Sequence, residues 1–266
     1  MSAIALGLDR TVLELKMYSR EKEAVFFSFL FPILLLALFS VIFAGQFGGR
    51  DTNGMTAGGY FLPGMLSAGV LLTSYQTMAM SVASERDDGT LKRLRATPMP
   101  PVAYFLGKVG LVATSSTLQV ALLLLVARVL FGVQLPTTAD RWAVFALVFT
   151  LGVFGGTVLG IAYSSMATSR TIGAVVIGPL LILQFISGVY IAFDDVPTWL
   201  QQIASVFPLK WIAQGMRSVF YPADLASAEM AGSWETGRTA LVLLAWAVGG
   251  LVLCVLTFKW FKRGTT

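Results

Sequence analysis

The residues whose types and spacing are best suited to chemistry form one charged island, Glu85 to Pro98, between two long apolar runs. The island holds four of the nineteen Lys and Arg residues and three of the fourteen Asp and Glu residues. Because charge is costly in lipid, a membrane protein keeps such an island in water or against a partner. Gly89 and Thr90 interrupt it after its acidic half, and a basic stretch follows. This pattern predicts a short helix presented to a cytoplasmic partner.

Two features of the island specify how it would bind. Leu91 and Leu94 are three residues apart, so they share a helix face that suits a hydrophobic groove. Arg93 and Arg95 are placed to pair with acidic groups of a partner, and Glu85 is expected where an apolar run meets water. The alternative is a solvated loop that only contributes to the positive charge of the cytoplasmic side.

The composition indicates an integral membrane protein. The chain is 56% hydrophobic and 12% charged, with a mean hydropathy of +0.77, whereas soluble domains are about 25% charged. We expect residues 1–266 to form a single membrane domain. The lone cysteine, Cys254, excludes an intrachain disulfide. The absence of histidine removes the commonest general base and metal ligand.

Six apolar runs are long enough to cross a hydrocarbon core, which needs about 20 residues per helix. The fifth is the weakest because it contains Pro179 and Gln184. The predicted spans are Ala24–Ala44, Gly59–Ala83, Val109–Val133, Trp142–Met166, Ile172–Ala192 and Thr239–Phe258.

The distribution of Lys and Arg predicts the orientation of these spans. Thirteen lie on the side of the charged island and six on the other, and the richer side is expected to be cytoplasmic. This places both termini inside the cell, and we expect the membrane to be the plasma membrane. The thirteen are Arg10, Lys16, Arg20, Lys22, Arg86, Lys92, Arg93, Arg95, Lys108, Arg170, Lys259, Lys262 and Arg263.

The segments outside the spans predict two further devices. Residues 1–23 are expected to form an amphipathic interface helix along the inner membrane surface, with Leu8, Val12 and Leu15 on one face. Residues 193–238 are too apolar for an ordinary outer loop and too broken to span. We expect a re-entrant helical hairpin there, with a surface-lying loop as the alternative.

The hairpin is predicted to contain two short helices. Asp195 is expected to cap the first, with Pro197 in its first turn. Pro208 breaks that helix, and Leu209 to Phe220 forms the second. Together with Trp199 and Trp211, the two prolines are the candidate residues of an outer gate.

Missing motifs exclude several mechanisms. Away from their ends, the six spans contain no Asp, Glu, Lys or His, which proton-driven carriers generally use. The chain also lacks a phosphate-binding loop and the usual hydrolase or metalloprotease motifs. We therefore expect no catalytic residues, no bound metal or cofactor, and no nucleic-acid partner. A membrane channel or carrier that works without an ATPase partner, and an integral membrane lipid-modifying enzyme, remain as alternatives.

The island resembles the cytoplasmic loop of type-two ABC exporter permeases, the group that includes daunorubicin-resistance permeases. That pattern runs Glu-basic-x-x-Gly-Thr-Leu-x-basic-Leu-x-x-Thr-Pro and continues with Leu-Gly-Lys, which Leu106, Gly107 and Lys108 match. Met99-Pro100-Pro101 departs from it. A looser likeness covers Ser187 to Leu209. The fold that follows is an all-α integral membrane protein with six transmembrane helices, the interface helix, a coupling helix within residues 84–108, and the hairpin.

The resemblance implies a transmembrane permease subunit of an ATP-driven exporter for an amphiphilic drug, lipid or related molecule. Such permeases pair as homodimers or with a sister permease, and each docks a separate ATPase subunit that holds ATP and Mg²⁺. The implied coupling residues are Glu85, Arg86, Gly89, Thr90, Leu91, Arg93, Leu94, Pro98 and Lys108. The substrate pathway would follow the first, second and fifth spans, and membrane lipids would surround the permease. The implied lining residues are Phe29, Phe39, Tyr75, Gln76, Gln184 and Tyr190.

Overall fold

The computed structural model describes residues 2–47, 54–258 and 260, and within them every regular element is a helix. The all-α prediction is therefore confirmed. The helices are α1 (Ala3–Tyr18), α2 (Lys22–Ile42), α3 (Ala57–Leu71), α4 (Thr77–Asp87), α5 (Thr90–Arg95), α6 (Pro101–Phe131), α7 (Ala139–Ser164), α8 (Ile172–Ile186), α9 (Thr198–Val206), α10 (Pro208–Phe220) and α11 (Thr236–Thr257). Short 3-10 turns occupy Ala44–Gln46, Phe193–Asp195 and Ala223–Ala228.

Four of the described helices, α2, α6, α7 and α11, are long and apolar enough to cross a membrane. They coincide with the first, third, fourth and sixth predicted spans. The second predicted span corresponds to α3 and α4, which a π-helical turn joins at Leu72–Gln76. The fifth corresponds to α8, whose 15 residues fall short of the usual span length of about 20. The count of six spans therefore stays a prediction.

The helix α3 is enclosed by other helices of the chain. It packs against α2, α6, α7 and α10, and 14 of its 15 residues are buried. A helix enclosed by protein has no need of a lipid-facing apolar surface. It can therefore hold small and polar residues such as Ser67, whose hydroxyl donates to the Pro63 carbonyl at 2.7 Å.

Two glycines of α7 pack against other helices of the same chain. Gly156 faces Ser74 and Gly160 faces the Tyr75 carbonyl so closely that a Cβ at either position would overlap them. Such contacts let two helix backbones approach closely in lipid. They fix α7 against the π-helical turn between α3 and α4.

The predicted split of the outer segment at Pro208 is confirmed, because α9 ends at Val206 and Pro208 opens α10. The prediction that Asp195 caps α9 is wrong, since Asp195 lies in a 3-10 turn and α9 begins at Thr198, directly after Pro197. The side-chain amide of Gln201 on α9 binds the 3-10 turn Phe193–Asp195 instead. It donates to the carbonyls of Phe193 at 3.0 Å and Val196 at 2.7 Å.

The helix α10 packs against α3, α7 and α11. Its Trp211 side chain is 2% exposed, whereas Trp199 on α9 is 63% exposed. The two tryptophans of the predicted outer gate therefore differ: one belongs to the core and the other faces outward.

The helix α1 forms as predicted, but with a different buried face. It packs along α6 and buries Gly7, Arg10, Glu14 and Tyr18, while Leu8 is 64% exposed. The sequence interpretation considered only the apolar stripe and missed this polar face. The position of α1 along a membrane surface stays a prediction.

Candidate functional site

Four buried charges join α1, α4 and α6 in a cluster made of Arg10, Glu14, Glu85 and Lys108. The Lys108 ammonium contacts Glu14 Oε2 at 2.8 Å and Glu85 Oε1 at 2.8 Å. The Arg10 guanidinium contacts Glu14 Oε1 at 2.6 Å and Glu85 Oε1 at 3.4 Å. None of the four residues is more than 9% exposed. The cluster is thus a closed network with two positive and two negative charges.

Helix geometry explains how the sequence assembles this cluster. Arg10 and Glu14 are four residues apart on α1, so they share one face. Tyr104 and Lys108 have the same spacing on α6, and the Tyr104 hydroxyl donates to Glu85 Oε2 at 2.8 Å. Gly107 lets the helices approach, because a Cβ there would overlap the Arg10 side chain. The charges therefore meet where two backbones are close.

The burial of Glu85 and Lys108 corrects two expectations. Glu85 was expected at the water boundary of the second span, but it is 6% exposed. Lys108 was expected in the loop before the third span, but α6 begins at Pro101 and Lys108 is fully buried within it. An unpaired buried charge is strongly destabilising, so Glu85 needs a cation and Lys108 needs an anion. The two residues therefore face the interior of this chain, where they pair with each other.

The charged island folds into the predicted short helix, α5. Gly89 adopts φ +78°, a left-handed conformation that separates α4 from α5. The Thr90 amide donates to Asp88 Oδ1 at 2.8 Å, and Arg93 donates to Thr90 Oγ1 at 2.9 Å. These local bonds define the start of α5, which we call the coupling helix.

The exposed face of the coupling helix is basic. Lys92, Arg93 and Arg95 are exposed, and Pro98 beyond the helix is exposed too. The expectation that Leu91 enters a partner's groove is wrong for this conformation, because Leu91 is fully buried in the chain's own core. Leu94 is partly buried against the same core. The leucines therefore anchor the coupling helix, and its cations form the accessible surface.

Arg86 and Asp87 fasten the segment after α7 to the end of α4. The Arg86 guanidinium donates to the carbonyls of Ser164 and Ala167, the latter at 2.7 Å. Asp87 Oδ2 accepts from the Ser169 amide at 2.6 Å. Burial lowers the pKa of Arg86 and the charge of Asp87 opposes that effect. The segment after α7 is thereby tied to the helix that leads into the coupling helix.

A large cavity lies between α2, the α3–α4 region and α8. Its volume is about 940 Å³, within the roughly 300 to 1,000 Å³ typical of small-molecule sites. Two acids and two bases, at positions 20–23, line it alongside apolar side chains such as Phe27 and Leu181. Two π-helical turns, Phe26–Leu30 and Leu72–Gln76, contribute to its wall. Such turns are frequent at functional sites.

Two of the six candidate pathway residues line this cavity, and the rings of two others, Phe39 and Tyr190, contact each other with centroids 6.0 Å apart. Gln76 and Gln184 line this cavity. Phe39 packs against Phe61 with tilted rings whose centroids are 4.9 Å apart, and Tyr75 contacts Tyr163 with centroids 5.7 Å apart. Phe29 packs against the core. Tyr190 lies next to the cavity wall, where its hydroxyl donates to the Gln184 side-chain carbonyl.

Comparison with known proteins supplies the family. The model of the ABC-2 type transporter family matches residues 10–221 of this chain. The chain belongs to that family. This ABC-2 chain is 25% identical over 242 residues to the daunorubicin resistance ABC transporter permease protein DrrB1 of Streptomyces coeruleorubidus. The matched residues cover 88% of this chain and 78% of that protein. This chain is 24% identical over 170 residues to the "Probable multidrug ABC transporter permease YbhR" of Escherichia coli K12, which covers 63% of this chain and 44% of that protein.

Sequence interpretation missed half of the ion cluster in this ABC-2 permease. Arg10 was counted only toward the charge of the cytoplasmic side, and Glu14 and Tyr104 were not considered. A signal was present, because Arg10 and Glu14 have the spacing of one helix face and Gly7 precedes them on that face. That pattern becomes informative only once α1 is known to lie on α6.

We predict that Lys108→Met destabilises the protein, because it leaves Glu14 and Glu85 with Arg10 as the remaining cation of the cluster. Removing one partner from a buried ion network costs about 3–5 kcal/mol. Thermal unfolding of the purified chain should show a clearly lowered midpoint. The control is Lys92→Met at the exposed face of the coupling helix, expected to change stability by less than about 0.5 kcal/mol. Equal midpoints for the two variants would contradict the role of the cluster.

Proposed function

We propose that this ABC-2 permease is the membrane subunit of an ATP-driven exporter of an amphiphilic molecule, and that the coupling helix docks the ATPase subunit. The observation that carries the proposal is the exposed basic face of the coupling helix, which connects α4 and α6, the two helices that the Glu85–Lys108 ion pair joins. The relatives named as drug-resistance and multidrug permeases support a drug-like substrate. In a functional transporter the chain would pair with a second copy or a sister permease.

The construction of the coupling helix suits the transmission of force. The coupling helix is connected to α4 through Gly89 and to α6 through residues 96–100. The ion pair between Glu85 on α4 and Lys108 on α6 joins these two helices directly. A push on the exposed cations would therefore displace α4 and α6 together. Because α1 carries Arg10 and Glu14, it would move with them.

The proposed substrate site is the cavity between α2, the α3–α4 region and α8. Its apolar side chains would hold the body of an amphiphile, and the amides of Gln76 and Gln184 would orient its polar groups. The charged residues at positions 20–23 would meet a head group at the cytoplasmic end. The other four candidates, Phe29, Phe39, Tyr75 and Tyr190, would support the wall from behind.

The outer segment is proposed as the exit gate. The helix α10 is buried among α3, α7 and α11, while α9 keeps an exposed face with Trp199. Pro208 separates the two helices, and the Trp211 indole donates across this corner to the Ser205 carbonyl at 2.8 Å. Pro197 opens α9. A hairpin held in this way would close the outer end between paired subunits.

The first functional prediction concerns the coupling helix. Lys92→Glu should weaken assembly with the ATPase subunit roughly tenfold or more, since reversing one charge places like charges together at the interface. The measurement is ATP hydrolysis by the reconstituted complex, stimulated by daunorubicin as the probe. Lys92→Arg is the matched control and should keep the stimulation. Full stimulation in Lys92→Glu would leave the coupling helix as a solvated loop.

The proposed orientation has a direct test. Single cysteines at Ser2 and Ser227 in a Cys254→Ala background should react differently with a membrane-impermeant maleimide. We expect labelling of position 227 in intact cells and of position 2 only after lysis, because thirteen Lys and Arg residues lie on the inner side and six on the outer. The cysteine-free background measures non-specific labelling. Reaction at position 2 in intact cells would reverse the topology.

The exit gate predicts a specific phenotype for Pro208→Ala. Without the proline ring, Phe207 can become helical and α9 can merge with α10, since Pro clashes with the preceding turn and lacks an amide donor. ATP hydrolysis should persist while export of daunorubicin from proteoliposomes becomes leaky. Pro136→Ala, between α6 and α7, is the control. Tight, normal export by Pro208→Ala would argue against a gate at this corner.

A further inference from the structure

The coupling helix is short, so contacts outside it must hold its position. It comprises six residues, Thr90–Arg95, whereas isolated helices below about 12–15 residues are marginal in water. Two leucines anchor one face of the helix, since Leu91 is fully buried and Leu94 is partly buried against the core. The last residue of the helix, Arg95, makes a contact of a different kind.

Arg95 contacts an aromatic ring from a distant part of the sequence. Its guanidinium carbon lies over the Trp260 ring, 5.5 Å from the ring centroid. A cation within about 6 Å of an aromatic centroid is attracted by the ring, and Trp attracts it most strongly. The neighbouring Arg93 is used within the helix itself, where it donates to Thr90 Oγ1 at 2.9 Å. Arg95 is thus a cation that ties the coupling helix to another segment.

Trp260 is in turn surrounded by rings from the start of α6 and the end of α11. Its centroid lies 5.7 Å from that of Tyr104 and 6.4 Å from that of Phe105, both on α6. Phe258, directly after α11, meets Trp260 edge to face at 5.1 Å. Tilted and edge-to-face ring pairs at about 4.5–7 Å are favourable. We call Tyr104, Phe105, Phe258 and Trp260 the ring cluster.

Tyr104 connects the ring cluster to the buried ion cluster. Its side chain is fully buried, and its hydroxyl donates to Glu85 Oε2 at 2.8 Å. Its ring centroid is 5.6 Å from the Lys108 ammonium. Trp260 therefore packs on a side chain that the buried charges hold in place, and it offers Arg95 a well-supported surface.

A tryptophan just beyond an apolar helix also has a simpler explanation. Trp is enriched at membrane–water interfaces, where it anchors helix ends, and α11 is long and apolar enough to cross a membrane. An interfacial anchor requires neither a cation over its ring nor a fully buried neighbour. Trp260 has both, in Arg95 and Tyr104. These contacts favour a role toward the coupling helix.

We propose that Trp260 is a positioning residue, which receives Arg95 and holds the coupling helix against α6 and the end of α11. The proposal rests on the proposed function, because it concerns the position from which the coupling helix docks the ATPase subunit. The contact itself exists in the chain alone, so it can be measured without the ATPase. Because Phe258 follows α11 directly, a displaced coupling helix would also pull on α11.

The test is hydrogen exchange of the full chain in phosphatidylcholine nanodiscs, followed at the coupling helix. Its backbone amides at Arg93, Ala96 and Thr97 bond within this segment. Arg95→Met keeps the helix propensity and removes the cation. We expect these amides to exchange roughly two- to fivefold faster, the effect of losing one exposed cation–π contact. Lys92→Met is the matched control on the same helix and should exchange as the unchanged chain does.

Variants of Trp260 separate a positioning role from general packing. Trp260→Leu should speed exchange at least as much as Arg95→Met, and Trp260→Phe, which keeps a ring, should restore most of the protection. Arg95→Met should add nothing in the Trp260→Leu background, because the two residues share one contact. Unchanged exchange in both single variants, or effects that simply add, would overturn the proposal and leave Trp260 as an interfacial anchor. Arg95→Met leaves the ring cluster intact, so it remains decisive even where Trp260→Leu fails to fold.

ATP hydrolysis by the reconstituted complex, with daunorubicin as the probe, distinguishes failure of this proposal from failure of the proposed function. Trp260→Leu should lower the stimulation severalfold and Trp260→Phe should retain it. Normal stimulation in Trp260→Leu alongside lost stimulation in Lys92→Glu would overturn the positioning role. Normal stimulation in both variants would reject docking by the coupling helix, while the exchange data would still decide whether Trp260 holds that helix.

Discussion

The fold of this permease depends on neutralising four charges that are buried together at the end of the bundle nearest the coupling helix. Lys108 can be fully buried only because Glu14 and Glu85 each contact it at 2.8 Å. Withdrawing α4 or α6 would leave the remaining helices with an unpaired charge, which costs several kcal/mol, and withdrawing α1 would remove two of the contacts to Glu85 and Lys108. The helices α1, α4 and α6 are therefore held as one unit, and the coupling helix inherits its position from them.

At the opposite end of the helix bundle, a buried ion pair with fewer charges also joins neighbouring segments. Arg217 and Glu229 join α10 to the loop beyond it, and the Gly188 carbonyl ties both to the end of α8. Between the two ends, contact is made by small residues, as where Gly156 and Gly160 meet the turn at Leu72–Gln76. Polar networks thus fix both ends, while the middle holds the irregular turns that border the large cavity.

The sequence was sufficient for the features that depend on local chemistry. Gly89 and Thr90 divide α4 from the coupling helix, and Pro208 divides α9 from α10, because each acts on its own backbone. Sequence interpretation failed where a residue's role depends on a distant neighbour. Leu91 has the spacing of a docking residue, but it is buried in the core of its own chain. Glu14 is a charged residue on a predicted surface helix, but it is buried and pairs with Lys108.

The ion cluster also borders the large cavity. The Lys108 ammonium donates to the Ser81 hydroxyl at 2.9 Å, and Ser81 lines the cavity wall. On the other side, α1 leads directly into residues 20–23 at the cavity's charged end. Contacts therefore run from Glu85, near the end of the helix that leads into the coupling helix, through Lys108 to Ser81 in the cavity wall. Because separating a buried ion pair is strongly destabilising, a displacement of Glu85 would carry Lys108 with it and would reach Ser81 in the cavity wall.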